Sequence, residues 1–160
     1  MLAESIGTAL AAGRFARVPI LDGSNHDEER LFVADLGLAV SGGTFVGVPT
    51  FACEFNDDAA PPRYAPTNPS VATHQSEIPY LFDLPNAPLQ GALSPDQQSL
   101  AASMRAAWAR FAASGNPSTE ALPWPSFNGN SAQVMSLVPP KPRVETSFAT
   151  NHHCAFWAAE

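Results

Sequence analysis

Seven prolines, Pro61, Pro62, Pro66, Pro69, Pro79, Pro85 and Pro88, set the tightest limit on what this chain can fold into. A proline inside a helix removes a backbone donor and collides with the preceding turn, at a cost of about 3 kcal/mol. No long helix fits between Asn56 and Gln90, so the sequence predicts loop and short turns there. The whole chain holds sixteen prolines among 160 residues, roughly twice ordinary usage. Regular elements must therefore form on either side of this stretch.

Composition still supports a packed interior. The chain is 45% hydrophobic and 14% charged, which excludes a disordered polyampholyte or a coiled coil, since charged residues ordinarily make up about 25%. A chain of this length is one domain and could bury roughly 70% of the surface it exposes unfolded. A net charge of -7 and a pI near 4.9 argue against a nucleic-acid partner. No apolar run approaches the ~18 residues of a membrane-spanning helix, and the opening MLAESIG lacks the charge and apolar stretch of a signal peptide. Neither a membrane segment nor a secretion signal is expected.

Local patterns divide the chain as follows. Leu2, Ile6, Ala9 and Leu10 stand at helical spacing before Gly13. Val18-Pro19-Ile20-Leu21 suits a short strand buried on both faces, closed by a polar loop at Asp22-Gly23-Ser24-Asn25, and Thr50 to Phe55 suits a second strand. Ser94-Pro95-Asp96-Gln97 is the sharpest local signal: an N-cap serine, a proline at the first helical position and a glutamine placed to complete a capping box. The helix it opens carries one apolar stripe, Leu100, Met104, Ala107, Trp108 and Phe111, and ends at Gly115-Asn116-Pro117. Val134 to Val138 and Arg143 to Thr146 read as short late strands. The pattern is α/β or α+β, without repeats.

Two polar clusters could carry chemistry: Asn25-His26-Asp27-Glu28 after the first strand, and His74-Gln75-Ser76-Glu77 in the proline-bounded loop. A carboxylate after a buried strand, followed by a loop histidine, is the acid-then-histidine order of α/β-hydrolases, in which the acid orients the imidazole and stabilises its protonated form. Taken alone the same residues also fit a surface histidine and a solvated charged face. Cys53 and Cys154 make no disulfide framework and no paired zinc-ligand spacing. His152-His153-Cys154 reads as structural, because adjacent ligands rarely converge on one ion.

The order of several segments resembles the type-B carboxylesterases, the family that includes the cholinesterases. Residues 13 to 28, ending Gly23-Ser24-Asn25-His26-Asp27-Glu28, are similar to the strand and N-x-D-E loop that carries the triad acid there. Pro49 to Phe55 resembles the next core strand, and His74-x-x-Glu77-Ile78-Pro79-Tyr80-Leu81-Phe82 resembles the HGxEIPYLF segment that supplies the triad histidine. Ser94 to Pro117 resembles the late helix ending in GNP, while Trp124 to Phe127 and Asn151 to Trp157 resemble closing segments. The resemblance implies a single partial carboxylesterase domain over 1–160: the C-terminal portion of an α/β-hydrolase fold, an incomplete sheet with flanking helices.

On that resemblance Glu28 is the triad acid, His74 the general base and Glu77 a supporting residue behind the histidine loop. A small carboxylic ester is the implied substrate once an N-terminal half completes the site, with no cofactor and no metal. A complementing chain or self-association is the implied protein partner, and family members are often secreted. The family's GESAGG-type elbow and Gly-Gly oxyanion loop have no counterpart in these 160 residues. Ala39-Val40-Ser41-Gly42-Gly43 imitates an elbow, but Ser41 falls between acid and base, whereas the fold places the nucleophile first. A plain turn is the preferred reading of Ser41.

Three departures from the family accompany the match. Glu29 and Gln75 stand where relatives have glycine after the acid and after the histidine, which strains or redirects both loops if those glycines hold positive φ. The segment between Phe32 and Thr50 is shortened, removing helices that would wall a substrate gorge. The usual disulfide partner of Cys154 is absent, leaving Cys154 unpaired or joined to Cys53.

Overall fold

The capping box is formed as the sequence predicts. In the computed structural model, which describes residues 5, 8–9, 12–14, 16–26, 48–61, 72, 74–83, 91–127 and 133–157, Ser94 Oγ accepts from the Gln97 amide and Gln97 Oε1 accepts from the Ser94 amide at 2.8 Å. Pro95 opens the long helix Pro95–Ser114, and Gly115 closes it in the left-handed conformation at φ 72°. A four-residue helix, α1 (Ile78–Leu81), precedes this long helix, α2. It is the only helix described inside the proline-rich stretch, with Pro79 in its first turn. Helices α3 (Phe148–Asn151) and α4 (Cys154–Trp157) follow late in the chain.

The sheet has the order β1-β2-β3-β4, from Ile20–Asn25, Thr50–Phe55, Val134–Leu137 and Arg143–Glu145. β1, β2 and β3 run parallel and β4 antiparallel. β2 and β3 fall where the sequence predicts them. β1 does not: Asp22 to Asn25, expected as a loop, continue the strand, each residue pairing with β2 as far as Asn25 opposite Phe55. The expected burial on both faces is also corrected, because Ile20 and Leu21 are half-buried and Asp22 and Gly23 exposed. Backbone pairing with β2 overrides side-chain polarity here, since β1 has no second neighbour among the described residues. Gly23 is required by the pairing: a Cβ there would lie 2.4 Å from Sγ and 3.0 Å from the carbonyl oxygen of Cys53 opposite. Of the expected N-terminal helix, Thr8 and Ala9 are helical, and most of the remainder lies outside the described residues.

Strand alternation separates two chemically different faces. Phe51, Cys53 and Phe55 of β2 and Met135 and Leu137 of β3 join the core made with Leu100, Met104 and Ala107 of α2, against which Trp108 and Phe111 are partly buried. The predicted stripe is thus the core face of α2. Phe51 meets Phe111 edge-on at 6.2 Å, and Trp108 meets the buried Trp124 at 5.9 Å. The opposite face carries Glu54 paired in register with Ser136, and there β2 meets the late segment around His152.

One buried carboxylate joins these parts. Asp57, just past β2, accepts from the Tyr80 hydroxyl of α1 through Oδ2 and from Gln97 Nε2 of α2 at 2.9 Å, while its Oδ1 accepts from the Ala59 amide at 3.0 Å. Gln97 also donates to the Ala59 carbonyl, so the residue that caps α2 anchors it to the turn after β2. Tyr80 is fully buried against Phe55, with ring centroids 4.9 Å apart.

Asp57→Ala strands Tyr80 and loosens Gln97, and is expected to cost about 3 kcal/mol in urea denaturation, against about 2 for Tyr80→Phe. Burial, then the bond to Asp57, raises the Tyr80 phenol above its ordinary value of 10.0. A raised folded-state pKa gives stability that is complete below the unfolded value and lost as pH climbs past it. Wild-type midpoints measured from pH 7 upward should therefore fall more steeply above pH 10 than those of Tyr80→Phe. Buried Cys53, raised from 9.0, contributes in the same sense to both proteins. At the C-cap, Gly115→Ala would place a methyl 2.6 Å from Cγ of Pro19 at positive φ, for an expected loss of about 2 kcal/mol.

Candidate functional site

Parallel strands bring their carboxyl ends to one edge, where loops in open α/β folds carry chemistry. Here that edge is formed by Asn25, the last residue of β1, with His26 after it, and by Asn56 and Asp57 after β2. Asn25 is buried, and its Nδ2 donates to Glu77 Oε2 at 2.6 Å across 52 residues of sequence. The two polar clusters that stand out in the sequence are therefore bonded to each other. Glu77 is the N-cap of α1 but makes no side-chain capping bond.

His74 opens the turn that leads through Glu77 into α1, and its side chain is exposed. Gln75, which the resemblance sets at a glycine position, adopts φ 73°, a backbone conformation that a side chain disfavours. Glu28 and Glu29 lie outside the described residues, as does Ser41. Among the sequence-predicted site residues, the described geometry thus covers His74 and Glu77.

A cleft of about 290 Å³ lies beside the Asn25–Glu77 pair, walled by Leu21, Gly23 and Cys53 of the sheet and by Met104 and Trp108 of α2. Both cysteines are free: Cys53 is buried and donates weakly to the Asp22 carbonyl at 3.5 Å, so the alternative of a Cys53–Cys154 disulfide is not realised. Burial, reinforced by the charges of Asp22, Glu54 and Glu77, pushes the Cys53 thiol far up, and it is no nucleophile at neutral pH.

A second polar group lies on the opposite face of β2. Glu54 is 3% exposed, and its Oε1 lies 2.5 Å from His152 Nε2 and 3.3 Å from His26 Nδ1. Asn56 Nδ2 donates to the other oxygen, Oε2, at 2.9 Å and also to Ser136 Oγ. In the sequence Glu54 belongs to a strand, His26 to a charge cluster and His152 to a closing motif. Their convergence has no local signal, because three separate segments contribute one residue each: β2, the chain just past β1 and the end of α3. His152-His153-Cys154 does not act as a unit: His152 turns inward to Glu54, whereas His153 is exposed with φ 52°.

Residues 28–157 match the model of the carboxylesterase family. Carboxylesterase 1E of Mus musculus is 28% identical over 127 residues, covering 75% of this chain and 22% of that protein. Para-nitrobenzyl esterase of Bacillus subtilis (strain 168) is 30% identical over 79 residues, covering 48% of this chain and 16% of that protein. Among solved structures, a PNB esterase superposes with a TM-score of 0.70 at 20% identity, over 95% of this chain and 41% of its own. A carboxylesterase of Geobacillus stearothermophilus does so with a TM-score of 0.64 at 17% identity, over 92% and 42%. The mixed sheet with flanking helices is thus part of an α/β-hydrolase fold, spanning well under half the length of these relatives. With a bonded pair of polar loops at the carboxyl edge of its parallel strands and a family match over most of its length, the chain belongs to the carboxylesterase family.

Proposed function

We propose that this chain supplies the acid and the base of a serine carboxylic ester hydrolase, as the C-terminal portion of its domain. His74 takes the proton of the attacking serine and returns it to the alcohol leaving group, and Glu28 stabilises the imidazolium that forms between those steps. The nucleophile and oxyanion donors come from polypeptide outside these 160 residues, joined upstream or carried by a separate chain.

The observation that carries this reading is the 2.6 Å bond from Asn25 to Glu77. Asn25 ends the strand that leads into the Glu28 loop, and Glu77 ends the turn that begins at His74. Glu77 is accordingly a positioning residue that ties the two loops together. The outer edge of β1, unpaired among the described residues, is where further strands of the sheet would join. That open edge also favours a second reading, a non-catalytic esterase-like module that binds a partner there.

Hydrolysis of p-nitrophenyl acetate separates the readings. This chain alone is expected to be inactive, and to become active when mixed with a polypeptide carrying the elbow and oxyanion loop of a para-nitrobenzyl esterase. In that mixture His74→Ala and Glu28→Gln should each lower kcat by about 10³ to 10⁴. Rates unchanged by His74→Ala would overturn the assignment, and labelling of the isolated chain by a fluorophosphonate that disappears in Ser41→Ala would move the nucleophile to Ser41. A mixture that stays inactive while the two chains bind would support the partner-binding module. Independently of catalysis, Gln75→Gly relieves the positive φ of the histidine loop and should raise stability by about 1 kcal/mol in chemical denaturation.

A further inference from the structure

We propose that His26, Glu54 and His152 form a binding site for a divalent transition-metal ion of the zinc class, on the sheet face opposite the apolar core and separate from the His74 loop. Two imidazole nitrogens and one carboxylate oxygen are a donor set that zinc accepts, and the three facing atoms all lie within 4.8 Å of one another.

The carboxylate itself is the strongest indication. Glu54 is nine-tenths buried and more, and no lysine or arginine contacts it among the described residues. Its Oε1 and the two imidazole nitrogens it faces are buried and lack aligned hydrogen bonds, although their separations are only 2.5 and 3.3 Å. The three atoms face one another without bonds that satisfy them. A buried carboxylate left without a compensating cation is costly, and a metal ion between these atoms supplies one. Bonds of about 2.0 to 2.1 Å in a tetrahedral site spread ligand atoms to roughly 3.3 Å. The His26 separation already fits, and the His152 contact would open by less than an ångström.

The surroundings hold each ligand in place. Asn56 fixes Glu54 Oε2 and, through Ser136, ties it to β3, leaving Oε1 as a single directed ligand. The His26 amide donates to the Phe55 carbonyl at 2.9 Å, extending the β1–β2 ladder by one residue and placing that imidazole beside β2. Phe148 backs the His152 ring with centroids 4.5 Å apart, and the two imidazoles meet edge-on at 66° rather than stacked. The His26 side chain is 39% exposed, against 14% for His152, so an ion enters from the His26 side and a water can complete its coordination.

Calorimetric titration of the EDTA-treated chain with zinc sulfate tests the site without reference to activity. One zinc per chain is expected, with Tm raised by roughly 5 °C at saturating zinc. His26→Ala and His152→Ala should each weaken binding by at least about 10- to 100-fold and abolish the Tm rise. His153→Ala and Cys154→Ser, which alter neighbours that are not ligands, should retain both. Glu54→Gln keeps the side-chain shape and should lose the zinc-dependent Tm rise while its far-UV circular dichroism stays native. Should it fail to fold, the exposed His26→Ala variant decides the matter. Absence of saturable binding in the wild type, or binding unchanged in both histidine variants, would overturn the proposal.

Discussion

The structure depends on what the Asp57 carboxylate holds. A buried charge is tolerable only when its oxygens are occupied, and here the Tyr80 hydroxyl, the Gln97 amide and the Ala59 backbone occupy them. Those donors belong to α1, to α2 and to the turn after β2, so one side chain fixes the helices against the strand end. The proline-rich stretch cannot organise itself through helical hydrogen bonds. Its described parts are held instead by side chains: Asp57 near its start bonds Tyr80 of α1 within it and Gln97 of α2 beyond it. Arg105 of α2 adds a bond to the Tyr80 carbonyl at 2.8 Å, tying the short helix to the long one.

The two faces of β2 then divide the chemistry. Odd-numbered positions feed the aromatic and aliphatic core, where Phe55 and Tyr80 touch and Met104 and Leu100 are fully enclosed. Glu54, between two core residues in sequence, necessarily points the other way. A glutamate inside the run Phe51-Ala52-Cys53-Glu54-Phe55 is therefore compatible with a core strand, provided the opposite face offers partners. There Asn56, itself bonded to Ser136, donates to Glu54, and His26 and His152 face it.

How much was legible in the sequence follows from the range of each interaction. α2 was legible to the residue, because Ser94, Pro95, Gln97 and Gly115 act within a turn of the helix they delimit. β2 was legible from its apolar alternation. The end of β1 was not, because Asp22 to Asn25 look like a turn and become a strand only by pairing with β2. The second role of Gln97, on Asp57, was equally hidden, since it spans 40 residues. At the candidate site, motif order marked the loops of Glu28 and His74, and the departure at Gln75 was visible as a missing glycine. The bond between Asn25 and Glu77 and the meeting of His26, Glu54 and His152 arise from tertiary placement alone.

The end of β1 and the turn from His74 to Glu77 are positioned by contacts among the described residues. Asn25 leaves a buried strand end and reaches Glu77, Glu77 begins α1, and α1 is held through Tyr80 by Asp57 at the end of the neighbouring parallel strand. This closed circuit runs from β1 to the histidine turn, through α1 to β2, and back by the β1–β2 ladder. A triad needs its acid and base held at fixed separation while the nucleophile is supplied from another strand. If the proposed roles hold, a portion of the fold that ties the end of β1 to the His74 turn does so before the rest of the sheet is added. On the proposed reading, the division between the segment that would bear acid and base and the segment that would bear the nucleophile is then a mechanical boundary as well as a chemical one.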